Sequence, residues 1–405
     1  MRLLHGNEMH FVRCPDGRVY STAVASYPWW KDYLEVFDEV LVVSRVKTVA
    51  EMYPPETLAE GPGISFEPLP DFRGPEDYLR NSAAVHRIMR DAVRRCDAYM
   101  FRVPGTIGYL GAKELLRAGK PYSLEVVGDP YDVFTAGSVK HPLRAFFRQW
   151  HTRNLRHYCA AAAATMYVTE RALQKRYPPS PEAFSTHYSD VELDERAYAT
   201  TGRTQATNPV PCKLIFVGTL AQLYKAPDVL IEAVHLCRER GVAIDLTFAG
   251  DGGCQPMLEA QVARHGLQSE IHFAGHVGDR ETLISMLDKA DVFVLPSRAE
   301  GLPRAMIEAM ARALPCIGSN VDGIPELLTE EDLVQADDAE GLAEKIIVVA
   351  TDAARRARMS ARNLATSLNY RKGLMMERKM RFCRHLRAIS EPLDAVTKTI
   401  ASVEV

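Results

Sequence analysis

A chain of 405 residues with 47% hydrophobic and 25% charged content is long enough for two ordinary globular domains with separate cores. Its formal net charge of -3 supplies no global field toward nucleic acid or anionic lipid, so any such attraction must be local. The 8 cysteines show neither a C-x-x-C pair nor a Cys/His metal spacing, and buried free thiols in a reducing compartment are expected. The opening residues lack the apolar core of a signal peptide, and the longest small-apolar run, Cys159 to Val168, is about half a membrane span. A cytoplasmic location follows as the expectation.

Short apolar runs alternate with helical-period segments along the chain, the pattern of parallel βαβ units in an α/β protein. The opening is less regular, with His10 to Tyr20 reading as a hairpin that turns at Asp16-Gly17. Strands are expected at Val40–Val43, Tyr99–Arg102, Tyr122–Val127 and Thr165–Val168, with a helix over Asn81–Arg95. From Ser180 to Pro211 the apolar pattern fades into Pro-, Thr- and Asp-rich sequence, which places a linker there. A cleaner alternation begins at Cys212. It predicts strands at Leu214–Val217, Asp245–Ala249, Ile271–Phe273, Val292–Leu295 and Pro315–Ile317, and helices over Pro227–Glu239, Pro256–His265, Arg280–Leu287 and Pro303–Arg312. The expected organisation is a Rossmann-like domain over 1–205, a second over 206–370, and a long basic helix within 371–405 that reaches back to the first domain.

Glycine-bearing turns follow three strands of the second half: Gly218; Gly250, Gly252 and Gly253; Gly275 and Gly278. Loops at the carboxyl ends of parallel strands form the ligand crevice, and glycine permits close backbone approach to a phosphate. The segment from Leu295 to Met310 is more specific. Pro303 suits the first turn of a helix, which sets Gly301 and Leu302 where free N–H groups and the helix dipole favour an anion such as a diphosphate. Glu300 and Glu308 are up to about 12 Å apart along a helix axis, a spacing that suits two hydroxyl-bearing parts of one elongated ligand.

Several segments then agree in order: Glu300 and Glu308 in an E-x7-E pattern, Glu300-Gly-Leu-Pro303, Phe216-Val-Gly-Thr-Leu220 with Lys225 downstream, Phe248-Ala-Gly-Asp-Gly252, Phe273-Ala-Gly-His-Val277 and Asp322-Gly-Ile-Pro-Glu326. Over roughly Cys212 to Leu328 the chain resembles the family 4 retaining glycosyltransferases, whose fold is GT-B: two Rossmann-like domains facing each other across a cleft. The resemblance implies transfer of a sugar from a nucleotide diphosphate sugar to an acceptor, with retention at the anomeric carbon and no metal or other cofactor. It implies that Glu300 contacts donor-sugar hydroxyls, Glu308 the ribose, and the Gly301–Leu302–Pro303 loop the diphosphate. Lys225 neutralises the leaving phosphate, the His276 and Val277 loop meets the base, and Gly218, Thr219, Gly250, Asp251 and Gly252 line the donor site. A fixed ammonium with helix-end dipoles is chemically suited to the charge that builds on a departing diphosphate.

Two positions depart from the family. Thr219 stands where many members carry an arginine, so Arg298 or Arg304 is the candidate replacement. Gly128 stands where a histidine often lies, while Asp129 is kept, and Asp129 or Glu125 is the candidate for orienting acceptor or sugar. Asp129 alternatively caps a turn before Pro130.

The first domain is expected to hold the acceptor. Arg102 to Gly108, including Gly105, reads as a loop facing the cleft, and Tyr27-Pro-Trp-Trp-Lys31 as either a sugar-stacking surface or a core anchor. Pro142 to Tyr158 mixes Arg144, Arg148, Arg153 and Arg156 with Phe146, Phe147, Trp150 and Leu155. It suits a basic amphipathic helix on anionic lipid, presenting the enzyme to a lipid-linked or saccharide acceptor, or else a helix packed on the sheet. No nucleic-acid partner is expected. A sugar-nucleotide epimerase of the same fold and a silent nucleotide-sugar-binding scaffold are the rival readings. A dinucleotide-dependent dehydrogenase is disfavoured, because no G-x-G-x-x-G follows a strand with an acidic residue about twenty positions on.

Overall fold

Uninterrupted apolar runs such as Val40–Val43 and Phe293–Leu295 are buried completely or nearly so, as strands covered on both faces require. A computed structural model describes residues 1–23, 25–133, 143–191, 193–204 and 207–391. The first sheet is formed by β1 (Arg2–Arg13), β2 (Val19–Ser21), β3 (Glu39–Thr48), β4 (Ile64–Leu69), β5 (Ala98–Val103), β6 (Ser123–Val126), β7 (Ala164–Tyr167) and β8 (Phe184–His187). Its order is β4-β3-β1-β5-β6-β7-β8, with β2 paired to β1. Only the β1–β2 hairpin is antiparallel, and it is the turn expected at Asp16-Gly17.

The irregular opening is in fact the central strand. β1 pairs with β3 on one side and β5 on the other. Its apolar run breaks at His5, Gly6 and Asn7, all buried, so periodicity gave no sign of a strand. β8 likewise lies inside the expected linker. The chain reaches the second domain well before Cys212: Ala199 N–H donates to the Ala311 carbonyl at 2.7 Å, and the Arg203 guanidinium donates to the carbonyls of Leu287, Ala290 and Arg312.

The second sheet contains β9 (Cys212–Val217), β10 (Ile244–Ala249), β11 (Ile271–Phe273), β12 (Val292–Leu295), β13 (Cys316–Ser319) and β14 (Leu333–Val334), all parallel in the order β11-β10-β9-β12-β13-β14. Strand order reverses between β9 and β12, and between β1 and β5 in the first sheet. Those reversals open a crevice at the carboxyl ends of the strands.

The helix Lys372–Ser390 packs on the first sheet through Met375, Met380, Phe382, Cys383 and Leu386, all buried. Lys379 sits 4.2 Å from the Tyr33 ring centroid and 3.1 Å from Asp32 Oδ2. Trp30 is fully buried with its Nε1–H on the Ala25 carbonyl, so the Tyr27–Lys31 aromatics are a core anchor. All 8 cysteines are free, and only Cys254 is not buried. Among the described residues no helix is long and apolar enough to cross a membrane.

Candidate active site

The turn Leu223–Lys225 follows β9 and places Lys225 beside the loop after β12. Lys225 Nζ lies 2.6 Å from Glu300 Oε1, which also accepts from Ser297 Oγ at 2.9 Å. Burial pulls the Lys225 ammonium toward neutrality, but Glu300 beside it outweighs this and raises its pKa overall. Lys225 is therefore a fixed cation. A Cβ on Gly218 would come within 2.5 Å of the Lys225 stem, so the bare backbone there lets the side chain reach across.

Gly250 and Gly252 have φ of 153° and 151°, and a Cβ on them would stand 1.9 Å from the Gly218 carbonyl oxygen and 2.0 Å from Ala221 N. These glycines allow the loops after β9 and β10 to touch backbone to backbone, a closer fit than any side chain permits. Thr219 and Asp251 are exposed on the rim. Gly250 N–H donates to the Gly275 carbonyl at 2.8 Å, which draws the loop of exposed His276 and half-buried Val277 alongside.

Pro303 is the N-cap of the helix Arg304–Ala311, one residue outside the expected start. Leu302 and Pro303 are buried and hold that start in place. Glu308, one turn in, is partly buried; burial raises its pKa against the pull of Arg304 and Arg280. The two candidate arginines separate cleanly. Arg298 is 8% exposed and forks onto Asp228 at 2.9 and 2.8 Å, with further bonds to Asp337 and the Leu223 carbonyl. It fixes the Lys225 turn from behind, which corrects the idea that it meets a diphosphate. Arg304 is exposed, and its charge acts on Lys225, Glu308 and Asp190 of the first domain. It thus faces the cleft.

On the opposite wall the expectations need correction. Glu125 is buried, 3.5 Å from Arg102 Nη1 and 3.8 Å from His5 Nε2. Arg102 also pairs with Asp190. Neither Arg102 nor Glu125 stands free as an acceptor ligand, because the returning helix and its Lys379 cover this face. Burial lifts the Glu125 pKa to about 7 against the pull of Arg102. Burial, then Arg102 and Lys379, depress His5 to about 3. Gly105 caps the helix Thr106–Ala118 and lies so close to Glu8 that a Cβ would overlap the Glu8 Cγ, 2.2 Å away. Glu8 accepts from the Ile107 N–H.

Asp129 is 3% exposed. It accepts from Tyr131 N at 2.8 Å and pairs with Arg176 and the Tyr177 hydroxyl. The turn-capping alternative holds, and a direct role on substrate is corrected. Asp129, Asp132 and Asp322 of the second domain bring carboxylate oxygens within 4.8 Å of one another, the one set among the described residues with metal-like spacing. The Arg176 guanidinium already sits among them, 2.7 Å from Asp132 and 3.9 Å from Asp322, so the cluster is an ion-pair junction between domains. A second junction is Glu326, which accepts from the backbone N–H groups of Glu170 and Arg171 at 2.6 and 2.8 Å and of Ala172. Sequence reasoning missed Asp132, Arg176 and Asp190. It quoted Asp322 and Glu326 within one motif without a partner for either.

The chain is similar to several known proteins. Residues 211–352 match the family model for glycosyl transferases group 1. Protein CapJ of Staphylococcus aureus is 25% identical over 349 residues, 85% of each chain. The putative colanic acid biosynthesis glycosyltransferase WcaL of Escherichia coli K12 is 34% identical over 145 residues, and that match spans only 35% of WcaL. Among solved structures, Anabaena Alr3699/HepE in complex with UDP superimposes with a TM-score of 0.63 at 16% identity over 99% of this chain and 100% of its own. Sucrose-phosphate synthase of Thermosynechococcus elongatus gives 0.64 at 14% identity over 96% of this chain and 100% of its own. Fold and matched domain together define a glycosyltransferase of the GT-B fold. Residues 211–352, most of its second domain, are similar to glycosyl transferases group 1.

Proposed function

We propose that the protein transfers a sugar, with retention, from a nucleotide diphosphate sugar to a saccharide or lipid-linked acceptor in surface polysaccharide assembly. The observation that carries this reading is the fixed Lys225–Glu300 pair at the β9/β12 reversal, 2.6 Å apart, with Glu308 one turn into the adjoining helix. In this reading the diphosphate lies across the Gly301–Pro303 loop between Lys225 and Arg304. Arg304 supplies the charge that Thr219 lacks. Glu308 takes the ribose, and the His276–Val277 loop the base. Two cations and a helix start stabilise the leaving group, so no metal is assigned. The acceptor attacks from the face the nucleotide leaves, a route that requires no protein nucleophile. HepE was solved with UDP, and WcaL is named for colanic acid biosynthesis; both support the donor and pathway class.

The test is a thermal-shift panel of UDP, GDP, ADP and their sugar nucleotides, run with and without EDTA and repeated on Glu308→Ala. One nucleotide family should raise the melting temperature through linkage, equally in EDTA, and raise it less in the variant. A shift as large in Glu308→Ala as in wild type, or one that vanishes in EDTA, overturns the assignment.

A further inference from the structure

The loop that carries Glu300 is held by a residue whose place in the cluster is electrostatically unusual. Asp322 follows β13 with φ of 47°, a left-handed conformation uncommon outside glycine. Its Oδ2 accepts from the Glu300 N–H at 2.7 Å. Its side chain is 1% exposed, and Oδ1 has no hydrogen-bond donor. That oxygen faces the first domain: Asp132, Asp129 and, at 3.9 Å, Arg176. Tyr177 donates to Asp129 and leaves Asp322 alone. Among the described residues the carboxylates of Asp129, Asp132 and Asp322 all face the Arg176 guanidinium, Asp132 having a further contact of its own, and a low-dielectric site relieves such crowding by protonating one member. The donorless Oδ1 points to Asp322. Burial first, then Asp132 and Asp129, push its pKa up to about 10 against the lowering effect of the Glu300 amide.

We propose that Asp322 is a positioning residue that works as a neutral acid: its Oδ1–H donates to Asp132 across the domain boundary while Oδ2 accepts from the Glu300 N–H. One proton then ties the Glu300 loop to the opposite wall. An ionised Asp322 can accept from Glu300 but has nothing to donate to Asp132, so only the acid serves both bonds. Gly301 makes the same approach sterically, since a Cβ there would stand 2.5 Å from the Val127 carbonyl oxygen. The functional consequence rests on the assignment of Glu300 to the donor site.

The sign follows from linkage. The folded pKa is raised, so the tie is complete below the carboxylate's solvated value of about 4 and is lost as pH rises through about 10. Asparagine carries the same donor and acceptor without titrating. Hydrogen exchange of the segment containing Glu300 should be measured from pH 6 to 10.5 in wild type, Asp322→Asn and Asp322→Ala, corrected for intrinsic rates and referenced to β9 for global opening. At pH 6, wild type and Asp322→Asn should be protected alike and Asp322→Ala at least tenfold less. Toward pH 10.5 the wild type should lose protection and Asp322→Asn keep it. Asp322→Asn exchanging as fast as Asp322→Ala, or wild type matching Asp322→Asn throughout, overturns the proposal. Titrations of the same three proteins with UDP, GDP and ADP separate the two claims. Absence of binding by all three with the exchange pattern intact defeats the donor reading alone, and binding of any one with the pattern lost defeats the tie alone.

Discussion

The two walls of the cleft are charged in different ways. On the second domain the polar groups come from loops that each follow a strand directly: Gly218 to Lys225 after β9, Gly250 to Gly252 after β10, Ser297 to Glu308 after β12. On the first domain His5, Arg102, Glu125, Asp190 and Lys379 converge from β1, β5, β6, the segment after β8 and the last helix. They face one another and the returning helix. One wall leaves Thr219, Asp251 and Arg304 exposed around the Lys225–Glu300 pair, whereas the other uses its charges to hold itself together.

The largest effect expected from this contrast is on the second domain's wall. Lys225→Ala should lower kcat by about 10²–10³-fold, the usual consequence of losing one preorganised group that stabilises developing negative charge. KM for the donor should change less. Lys225→Arg should recover only part, because the 2.6 Å contact to Glu300 fits a compact ammonium. Normal turnover in Lys225→Ala, measured at saturating donor, would remove the leaving-group role.

The self-pairing wall should answer to pH instead. Glu125, raised to about 7, contributes stability that is complete below about 4.5 and lost as pH rises through 7, on the order of 3 kcal/mol for a fully buried group. His5, lowered to about 3, acts oppositely: its contribution is present above 6.5 and lost as pH falls toward 3. Because the two trends oppose each other between pH 5 and 6.5, chemical denaturation should show wild-type stability nearly level there, and Glu125→Gln, which leaves only the His5 trend, should show a clear rise with pH. A variant profile as flat as that of wild type would remove Glu125 as the source of the compensation.

Smaller still is Glu308→Ala, expected to weaken nucleotide binding about tenfold, ~1.4 kcal/mol, with kcat little altered at saturation. Titration calorimetry with the nucleotide that gives the thermal shift checks it. A drop in kcat without a change in affinity would move Glu308 from binding to chemistry.

The same contrast explains what could be read from the sequence. The loops of the second domain were legible because glycine, proline and carboxylate stand at fixed short offsets from obvious strands, as in Phe248 to Gly252. Arg298 misled because a charged residue between Ser297 and Glu300 looks ligand-facing, whereas its partners Asp228 and Asp337 lie far away in the chain. β1 was hidden by His5 and Asn7. These are polar residues in a central strand, and Asn7 is accommodated there because its Oδ1 accepts from Ser44 Oγ and the Met9 N–H. Asp129 could be read as a turn cap, but Arg176 and Asp322 joined it only through tertiary structure. Sequence periodicity reports burial by neighbours along the chain and is silent on pairing across it.

The smallest effect on stability, and the sharpest test of the first wall's outer side, concerns the helix Arg144–Ala161. Pro142 lies outside the described residues, but the helix shows which way its faces point. Thr152, Leu155, Tyr158 and Cys159 are buried, as the packed-helix reading requires. Yet Leu143, Phe146 and Trp150 remain 57%, 61% and 46% exposed, at offsets of three and four that set them on one stripe. Arg153 and Arg156 are exposed farther along. Arg148 instead stacks 3.4 Å from the Tyr131 ring centroid, so it belongs to the fold and not to a lipid-facing set. Exposed apolar residues beside arginines match the chemistry of an anionic bilayer surface. Exposed residues of this kind contribute little to folding, so Phe146→Ser with Trp150→Ser should shift unfolding free energy by only about 0.5 kcal/mol per site. Sedimentation with phosphatidylglycerol vesicles should nevertheless retain the wild type and release the double variant, with neutral vesicles binding neither. If wild type and variant sediment alike, these side chains take no part in membrane contact, and the helix serves the first domain only through its buried face.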